Sequence, residues 1–271
     1  MKNYIIYLSL VLATFVGCDK IEQEDFLIGV EGPNEVDTTT FVKKILIEDF
    51  TGQTCQNCPE AAEEIHTLQL INTYSNKVVA IAVHAGFFSN TNSTFTTDFT
   101  TPEGIEIHDF FGIESYPKGM VNRVGYTNST NLLDYPQWGA AVVDLINQEP
   151  EIAIKMTVEN GNSIKVESKL LQEIDDELKL VVVLTENNII DNQLVEGQGV
   201  VENYEHNHVL RKSLNGTWGQ TVELNSTNFQ SFNFDYVIDN SMVETNTNAV
   251  AYIYNESTKE VLQVEEIHLI E

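Results

Sequence analysis

Basic residues are scarce in this chain of 271 residues. Lys and Arg together number 14 against 41 Asp and Glu, which gives a formal net charge of −27. Proteins that bind nucleic acids neutralise phosphates with cationic side chains, so this balance argues against a nucleic-acid partner. It argues equally against electrostatic attachment to anionic lipids. The acidic residues therefore predict a well-solvated surface.

Long apolar runs are missing near the N-terminus as well. The run from Tyr4 to Val16 has 13 residues, which is too short to span a bilayer comfortably and typical of the core of a signal peptide. It is followed by Gly17 and Cys18, and a small residue before a cysteine at this place resembles the lipobox of bacterial lipoproteins. The resemblance implies that residues 1–17 are removed as a signal peptide and that lipid on Cys18 attaches the chain to a membrane. Ordinary secretion with a free Cys18 is the alternative.

Cysteine is rare too, with three in the whole chain. If Cys18 carries lipid, Cys55 and Cys58 have only each other as intramolecular partners. Thiols outside the cytoplasm tend to be oxidised, so we expect a Cys55–Cys58 disulfide. Because only two residues separate the two cysteines, this disulfide does not connect distant parts of a fold.

The cysteine pair lies between a predicted strand and a predicted helix. The strand covers residues 41–50, and the helix runs from Glu60 to Ile71 with apolar residues at helical spacing. A strand, C-x-x-C and a helix in this order resemble the redox motif of a thioredoxin-like βαβ unit. A thiol at a helix N-terminus is favoured as the thiolate. We therefore predict that Cys55 opens the helix and is the reactive thiol, and that Cys58 resolves the mixed disulfide.

Two further positions strengthen the resemblance to thioredoxin. The segment 111–121 contains Gly-Ile-x-x-x-Pro, the pattern that carries the cis-proline of that family opposite the cysteines, and Pro117 matches this proline. Asp49 lies six residues before the first cysteine, where the family has a buried aspartate. The resemblance implies that Pro117 and the Tyr116 backbone hold a substrate strand. It also implies that Asp49 accepts a proton from Cys58.

A change of pattern at residues 148–150 separates two predicted domains. From residue 151 onward apolar and polar residues alternate, and about seven short strands with turn signals predict a β-sandwich. The expected fold class is an α/β thioredoxin-like domain at 41–148 followed by an all-β immunoglobulin-like sandwich at 151–271. Residues 18–40, which are acidic and contain Gly and Pro, are predicted to be a flexible tether.

The connection at 188–220 is rich in Asn and Gly and is predicted to be a long loop. It contains His206 and His208, which would face the same way on an extended strand. Two imidazoles alone do not make a metal site. The sequence therefore assigns no role to these two histidines.

The chain as a whole resembles the outer-membrane protein 28-related lipoproteins of Gram-negative bacteria. The features that carry this resemblance are the lipobox, the sequence D-F-T-G-x-x-C-x-x-C-P and the later H-N-H-V-L-R. Together they span nearly the whole chain. The resemblance implies a lipid-anchored protein of the outer membrane that faces the periplasm or the cell exterior.

The residues leave three functions open. The first is thiol–disulfide exchange with an extracytoplasmic thiol-containing protein, which would make the chain an oxidoreductase without a cofactor. The second is a non-enzymatic module for surface binding or adhesion, with the thioredoxin-like fold as a scaffold. The third is a zinc site that adds His66 or His84 to the two cysteines. His66 lies too far along the helix to share a tetrahedral site with both thiols, and we expect no metal.

Overall fold

The computed structural model describes residues 41–74 and 76–270. The predicted signal peptide at 1–17, the predicted tether at 18–40 and the lipidation site Cys18 lie outside these residues. The elements in chain order are β1 (Ile45–Thr51), α1 (Cys58–Leu70), β2 (Val78–His84), α2 (Pro102–Phe111), β3 (Lys118–Val121), α3 (Trp138–Leu145), β4 (Ile152–Glu159), β5 (Ser163–Leu170), β6 (Leu178–Glu186), β7 (Ile189–Val195), β8 (Gly199–His206), β9 (Val209–Ser213), β10 (Gln220–Val222), β11 (Gln230–Asp235), β12 (Thr247–Asn255) and β13 (Val261–His268).

One mixed sheet of eight strands dominates the structure. Its order is β13-β12-β6-β9-β2-β1-β3, with β10 added beside β6. The pairs β1–β2 and β2–β9 are parallel, and the other pairs in this sheet are antiparallel. Every residue of β1 and β2 is buried, as expected for central strands that are covered on both faces.

The helices cover the part of this sheet that contains β1 and β2. Helix α1 packs through Ala61, Ile65 and Leu68, which repeat at helical spacing, and α3 lies against the same face. Helix α2 packs on the opposite face. Its start is fixed by Thr101, whose Oγ1 accepts a hydrogen bond from the Gly104 N–H at 3.0 Å.

A second sheet, with the order β11-β5-β4, packs against β6 and β12. Its apolar residues alternate along β5, where Ile164, Val166 and Leu170 are buried between half-buried polar residues. This is the period-two pattern of a sheet with one buried face. The two layers enclose a second hydrophobic core.

The predicted fold class, an α/β thioredoxin-like domain followed by a separate immunoglobulin-like sandwich, is wrong. Strand β9 pairs with both β2 and β6, so strands from the two predicted domains form one sheet. The core on one face of that sheet contains Phe50 and Ile81 from the first part and Val183 and Tyr252 from the second. The physical reason is that the open edge of β2 pairs with β9 and does not remain a sheet edge.

A buried ion pair crosses this shared core. The Arg123 guanidinium donates from Nε and Nη2 to the two Glu48 oxygens at 2.7 and 2.6 Å, and Nη2 also donates to the Tyr252 hydroxyl at 3.0 Å. The guanidinium carbon lies 5.2 Å from the ring centroids of both Phe111 and Tyr252. Because Glu48 lies on β1 and Tyr252 on β12, the network joins the two halves of the chain.

Strands β7 and β8 form a two-stranded sheet of their own. We call residues 189–206 the cover hairpin. Most of its side chains are exposed or half-buried, and the buried ones, Gln193 and His206, are polar. The hairpin therefore contributes little to the hydrophobic cores. It is hydrogen-bonded to residues 52–58, which we call the cysteine segment.

Candidate functional site

The predicted disulfide is present, and it lies between the end of β1 and the start of α1. Cys55 and Cys58 are bonded, with their Cα atoms 5.4 Å apart. The Cys58 N–H donates to the Cys55 carbonyl at 3.3 Å. Helix α1 begins at Cys58 with Asn57 as its N-cap. The prediction that Cys55 opens the helix is therefore wrong, because the turn Gly52–Cys55 precedes the helix and Cys58 is its first residue.

The cover hairpin lies directly against the cysteine segment. The Leu194 N–H donates to the Gln53 carbonyl at 2.8 Å, and the Glu196 N–H donates to the Gln56 carbonyl at 2.9 Å. The buried Gln193 side chain donates from Nε2 to the carbonyl of the first cysteine at 2.9 Å. These three bonds hold the hairpin over the residues that flank the disulfide.

Both cysteines are buried beneath this cover. Cys55 is 3% exposed and Cys58 is 2% exposed. Thiol–disulfide exchange requires an attacking thiolate to reach a sulfur atom. Protein-sized thiols therefore have no direct path to either sulfur while the cover hairpin stays in place.

Asp49 is buried on β1, as the sequence led us to expect. Its Oδ1 atom has no hydrogen-bond partner. Burial raises the pKa of the carboxyl from its ordinary value to about 8, because a charged carboxylate loses its hydration there. The side chain is therefore mostly protonated at neutral pH and can exchange a proton near that pH.

A cavity of about 490 Å³ lies beside Asp49 and Cys58. Its walls come from β1, β2, α1, the cover hairpin and the link before β9, and the lining residues include Asp49, Cys58, Ala62, Glu63, His66, His84, Gln193, Tyr204, Glu205, His206 and His208. Burial, followed by the charge of Asp49, raises the pKa of Tyr204 to about 12. The size falls in the range of small-ligand sites.

Three histidines of this cavity are neutral. Burial lowers the pKa of His84 to about 3, and that of His206 and His208 to about 4. The rings of His84 and His206 lie 5.9 Å apart, and each ring contacts Phe99. One nitrogen of each of the three rings has no hydrogen-bond partner: Nδ1 of His84 and His208, and Nε2 of His206. His208 has a φ of 59°, so it does not continue the β8 strand beside His206.

We expect that His206 makes the stability of the protein sensitive to acid. Its pKa is depressed in the folded chain, so the unfolded chain binds more protons between about pH 6.5 and pH 4, and stability is lost as the pH falls through that window. From about pH 7 to pH 5, the free energy of unfolding should fall by about 2 kcal/mol more in the wild type than in His206→Gln. Asp49 acts in the opposite direction, and the comparison cancels its contribution. Urea denaturation at both pH values measures the difference, and equal pH slopes would contradict this assignment.

Tyr116 and Pro117 lie outside the cavity. The peptide bond between them is cis, and Tyr116 Oη contacts His108 Nε2. The Tyr116 ring packs on Phe88 at 5.4 Å between centroids, and the Phe88 carbonyl accepts hydrogen bonds from the Thr54 N–H and hydroxyl. Tyr116 is thus connected through Phe88 to the residue before the first cysteine. Of the residues predicted for thiol exchange that lie in the described part of the chain, Asp49 and Cys58 line the cavity.

Among residues 41–74 and 76–270, no group of three or more His, Cys, Asp or Glu side chains could hold a metal ion. The zinc alternative also requires Cys55 and Cys58 as thiolates, and both are bonded to each other. No helix in the described part of the chain is long and apolar enough to cross a membrane.

Gln193 and Tyr204 of the cover hairpin are among the cavity residues that sequence reasoning missed. The sequence signal for this hairpin was the pair Gly197 and Gly199 between two short runs that contain Ile, Leu and Val. In the structure both glycines have positive φ and form the turn. Polar residues within these runs interrupt the alternation of apolar and polar residues that indicates a strand. The segment was therefore predicted to be a loop.

Comparisons with known proteins identify the family. The sequence model described as outer membrane protein Omp28 matches residues 106–270. No curated protein matches the chain. Among solved structures, HBP35 of Porphyromonas gingivalis is similar with a TM-score of 0.65 at 14% identity, covering 84% of this chain and 76% of that one. The protein therefore shares a fold with HBP35.

Two further structures are similar to the chain. An Agrobacterium tumefaciens protein has a TM-score of 0.53 at 14% identity, covering 86% of this chain and 97% of that one. A domain of the outer membrane lipoprotein Omp28 from Porphyromonas gingivalis is 23% identical, with a TM-score of 0.30, and covers 44% of this chain and 88% of that one. The Omp28 sequence match spans more than half of the chain, so the predicted resemblance and location are confirmed. The chain belongs to the family of outer membrane protein Omp28 and is a protein of the outer membrane.

Proposed function

We propose that this outer-membrane lipoprotein exchanges disulfides with extracytoplasmic thiols at Cys55 and Cys58. The observation that carries the proposal is the buried carboxyl of Asp49, whose Oδ1 has no hydrogen-bond partner and which lines the same cavity as Cys58. A buried polar atom without a partner is rare in folded proteins. A carboxyl with a pKa near the working pH suits a group that exchanges protons with thiols.

The reaction moves two electrons from substrate thiols to the cysteine pair. A substrate thiolate attacks one sulfur, so the Cys55–Cys58 bond breaks, a mixed disulfide forms and the other cysteine leaves as a thiolate. A second substrate thiolate then attacks the substrate sulfur of the mixed disulfide and releases the remaining cysteine. Asp49 takes the proton of a thiol that reacts in the cavity and returns it to the Cys58 thiolate.

Asp49→Asn should slow reduction of the disulfide by at least about tenfold, because the amide cannot accept a proton. The measurement is the rate of thiol appearance under native conditions with a small monothiol, followed from about pH 6 to pH 9. Expressed per un-ionised monothiol, the wild-type rate should rise and level off around the Asp49 pKa of about 8, whereas the variant rate should follow the thiolate fraction of the monothiol without levelling off. Asp144→Asn is the matched control, because Asp144 is an exposed carboxyl on α3 outside the cavity lining.

A non-enzymatic binding or adhesion module is the second candidate. The observation that favours it is the burial of both sulfurs under the cover hairpin, since an inert disulfide needs no access. The same measurement separates the two functions. If the disulfide is reduced only as fast as the protein unfolds, and Asp49→Asn leaves this rate unchanged, exchange is the wrong function and the binding module stands.

A further inference from the structure

The sulfur atoms of Cys55 and Cys58 differ in their access to the cavity. Cys58 lines the cavity, whereas Cys55 is absent from its walls. Both are buried, and the cover hairpin bonds to the segment between β1 and α1. A cysteine on a folded protein would have to bring its own backbone against this segment, where the hairpin already lies. A small molecule can enter the cavity without displacing the hairpin.

The cavity walls favour a polar ligand. His84 Nδ1, His206 Nε2 and Asp49 Oδ1 belong to residues that are at most 5% exposed, and none of these atoms has a hydrogen-bond partner. A buried polar atom without a hydrogen bond destabilises the folded protein. An N–H donor on a ligand would bond to an imidazole nitrogen in its acceptor form or to the carboxyl oxygen.

The charges around the cavity favour a cation. Glu63 and Glu205 line the cavity and are exposed to solvent, while His84, His206 and His208 are neutral. The chain as a whole carries a formal charge of −27. Clefts lined by one sign of charge concentrate ligands of the opposite sign, so an ammonium group is favoured over a carboxylate.

We propose that the thiol which reacts with this pair is a low-molecular-weight aminothiol that enters the cavity and attacks the Cys58 sulfur. This inference rests on the exchange activity proposed above and names its substrate class. It reverses the order expected from the sequence, because the sulfur that forms the mixed disulfide is Cys58 and not Cys55.

The proposed exchange has two steps. The aminothiol gives its proton to ionised Asp49, and its thiolate forms a bond to Cys58 Sγ. The Cys55–Cys58 bond breaks, and its electron pair leaves on Cys55 Sγ as a thiolate. A second aminothiol releases its proton to solvent and attacks the sulfur of the first, which yields the small disulfide and a Cys58 thiolate that takes the proton from Asp49, while the Cys55 thiolate takes a proton from solvent. The overall change is two aminothiols and a protein disulfide converted into one small disulfide and a protein dithiol.

The first test compares three monothiols of similar size on the intact protein: cysteamine, 2-mercaptoethanol and 3-mercaptopropionate. Each rate is expressed per thiolate and divided by the rate of the same thiol on an unstructured peptide disulfide. We expect cysteamine to exceed 3-mercaptopropionate by about tenfold at low salt, with a smaller ratio at high salt. Equal normalised rates would overturn the aminothiol assignment.

The second test locates the reaction. Acid quenching followed by peptide mass mapping should find the cysteamine adduct on Cys58, and an adduct on Cys55 would overturn the proposal. Ala62→Phe narrows the cavity from an exposed position on α1 and should slow cysteamine about tenfold by restricting access to the sulfur. Thr67→Phe is the matched control, because Thr67 is exposed on the same helix and outside the cavity lining.

The two proposals fail in different ways. If Asp49→Asn slows exchange but Ala62→Phe does not, the exchange activity stands and the route through the cavity is wrong. If neither variant changes the rate, the exchange activity itself is wrong. Circular dichroism and urea denaturation of Ala62→Phe establish that the variant is folded before its rate is interpreted.

Discussion

Arg123→Met should lower the free energy of unfolding by about 3–5 kcal/mol, because it leaves a buried carboxylate without its counter-ion. Arg123 is 0% exposed and Glu48 is 2% exposed. The two groups share two short hydrogen bonds, and the guanidinium also lies against aromatic rings from both halves of the chain. Methionine keeps most of the volume but cannot compensate the Glu48 charge. Urea denaturation of the two proteins measures the loss.

The double variant with Glu48→Gln tests this explanation. Removing the uncompensated charge should restore a substantial part of the lost stability, because much of the cost comes from the charge and not from the missing contacts. Lys118→Met is a control on a solvent-accessible pair, since Asp134, the partner of Lys118, is 66% exposed. That variant should lose less than about 1 kcal/mol. A double variant no more stable than Arg123→Met would show that packing, and not charge, dominates.

Replacing both Leu194 and Glu196 with proline should open the disulfide to large reductants. Each proline removes a backbone N–H that bonds to the cysteine segment, to Gln53 in one case and to Gln56 in the other. Two such bonds contribute about 2 kcal/mol together. Protein-sized reductants are expected to reach the disulfide only when the hairpin is open. The fraction of molecules with an open hairpin, and with it the rate of disulfide reduction by such reductants, should therefore rise roughly 30-fold.

A dithiol bound to agarose beads is the reductant for this measurement, because it cannot enter the cavity. Free cysteamine is the comparison, and its rate should change much less, since its route does not require opening. Urea denaturation checks that the main sheet remains folded in the variant. An unchanged rate with the bead-bound dithiol would mean that the cover hairpin does not control access to the disulfide.

Local features of the sequence located part of the site correctly. The C-x-x-C spacing and the absence of other cysteine partners predicted the disulfide, and the place of Asp49 six residues before Cys55, where the thioredoxin family has a buried aspartate, predicted its burial. These predictions depend on residues close together in the chain. The start of α1 was misplaced by three residues, because helical spacing alone does not show whether the turn before Cys58 is helical.

The fold class and the cover hairpin could not be predicted because they depend on distant pairing. Val209 pairs with Ala82 across more than a hundred residues, and no local pattern specifies which strand joins the β2 edge. Leu194 bonds to Gln53 across a similar separation. The hairpin lies outside the hydrophobic cores, so its strands lack the apolar alternation by which buried strands are recognised.

The position of β1 within the main sheet also determines how the protein resists mechanical pulling. The predicted lipidation site Cys18 precedes this strand in the chain, so a force transmitted from a lipid on Cys18 would reach the described residues first at β1. The strand is held by parallel bonds to β2 on one side and antiparallel bonds to β3 on the other. A pull along its axis loads these bonds together in shear instead of opening them one at a time. The first strand of the described residues is thus held by hydrogen bonds on both sides that resist the force together.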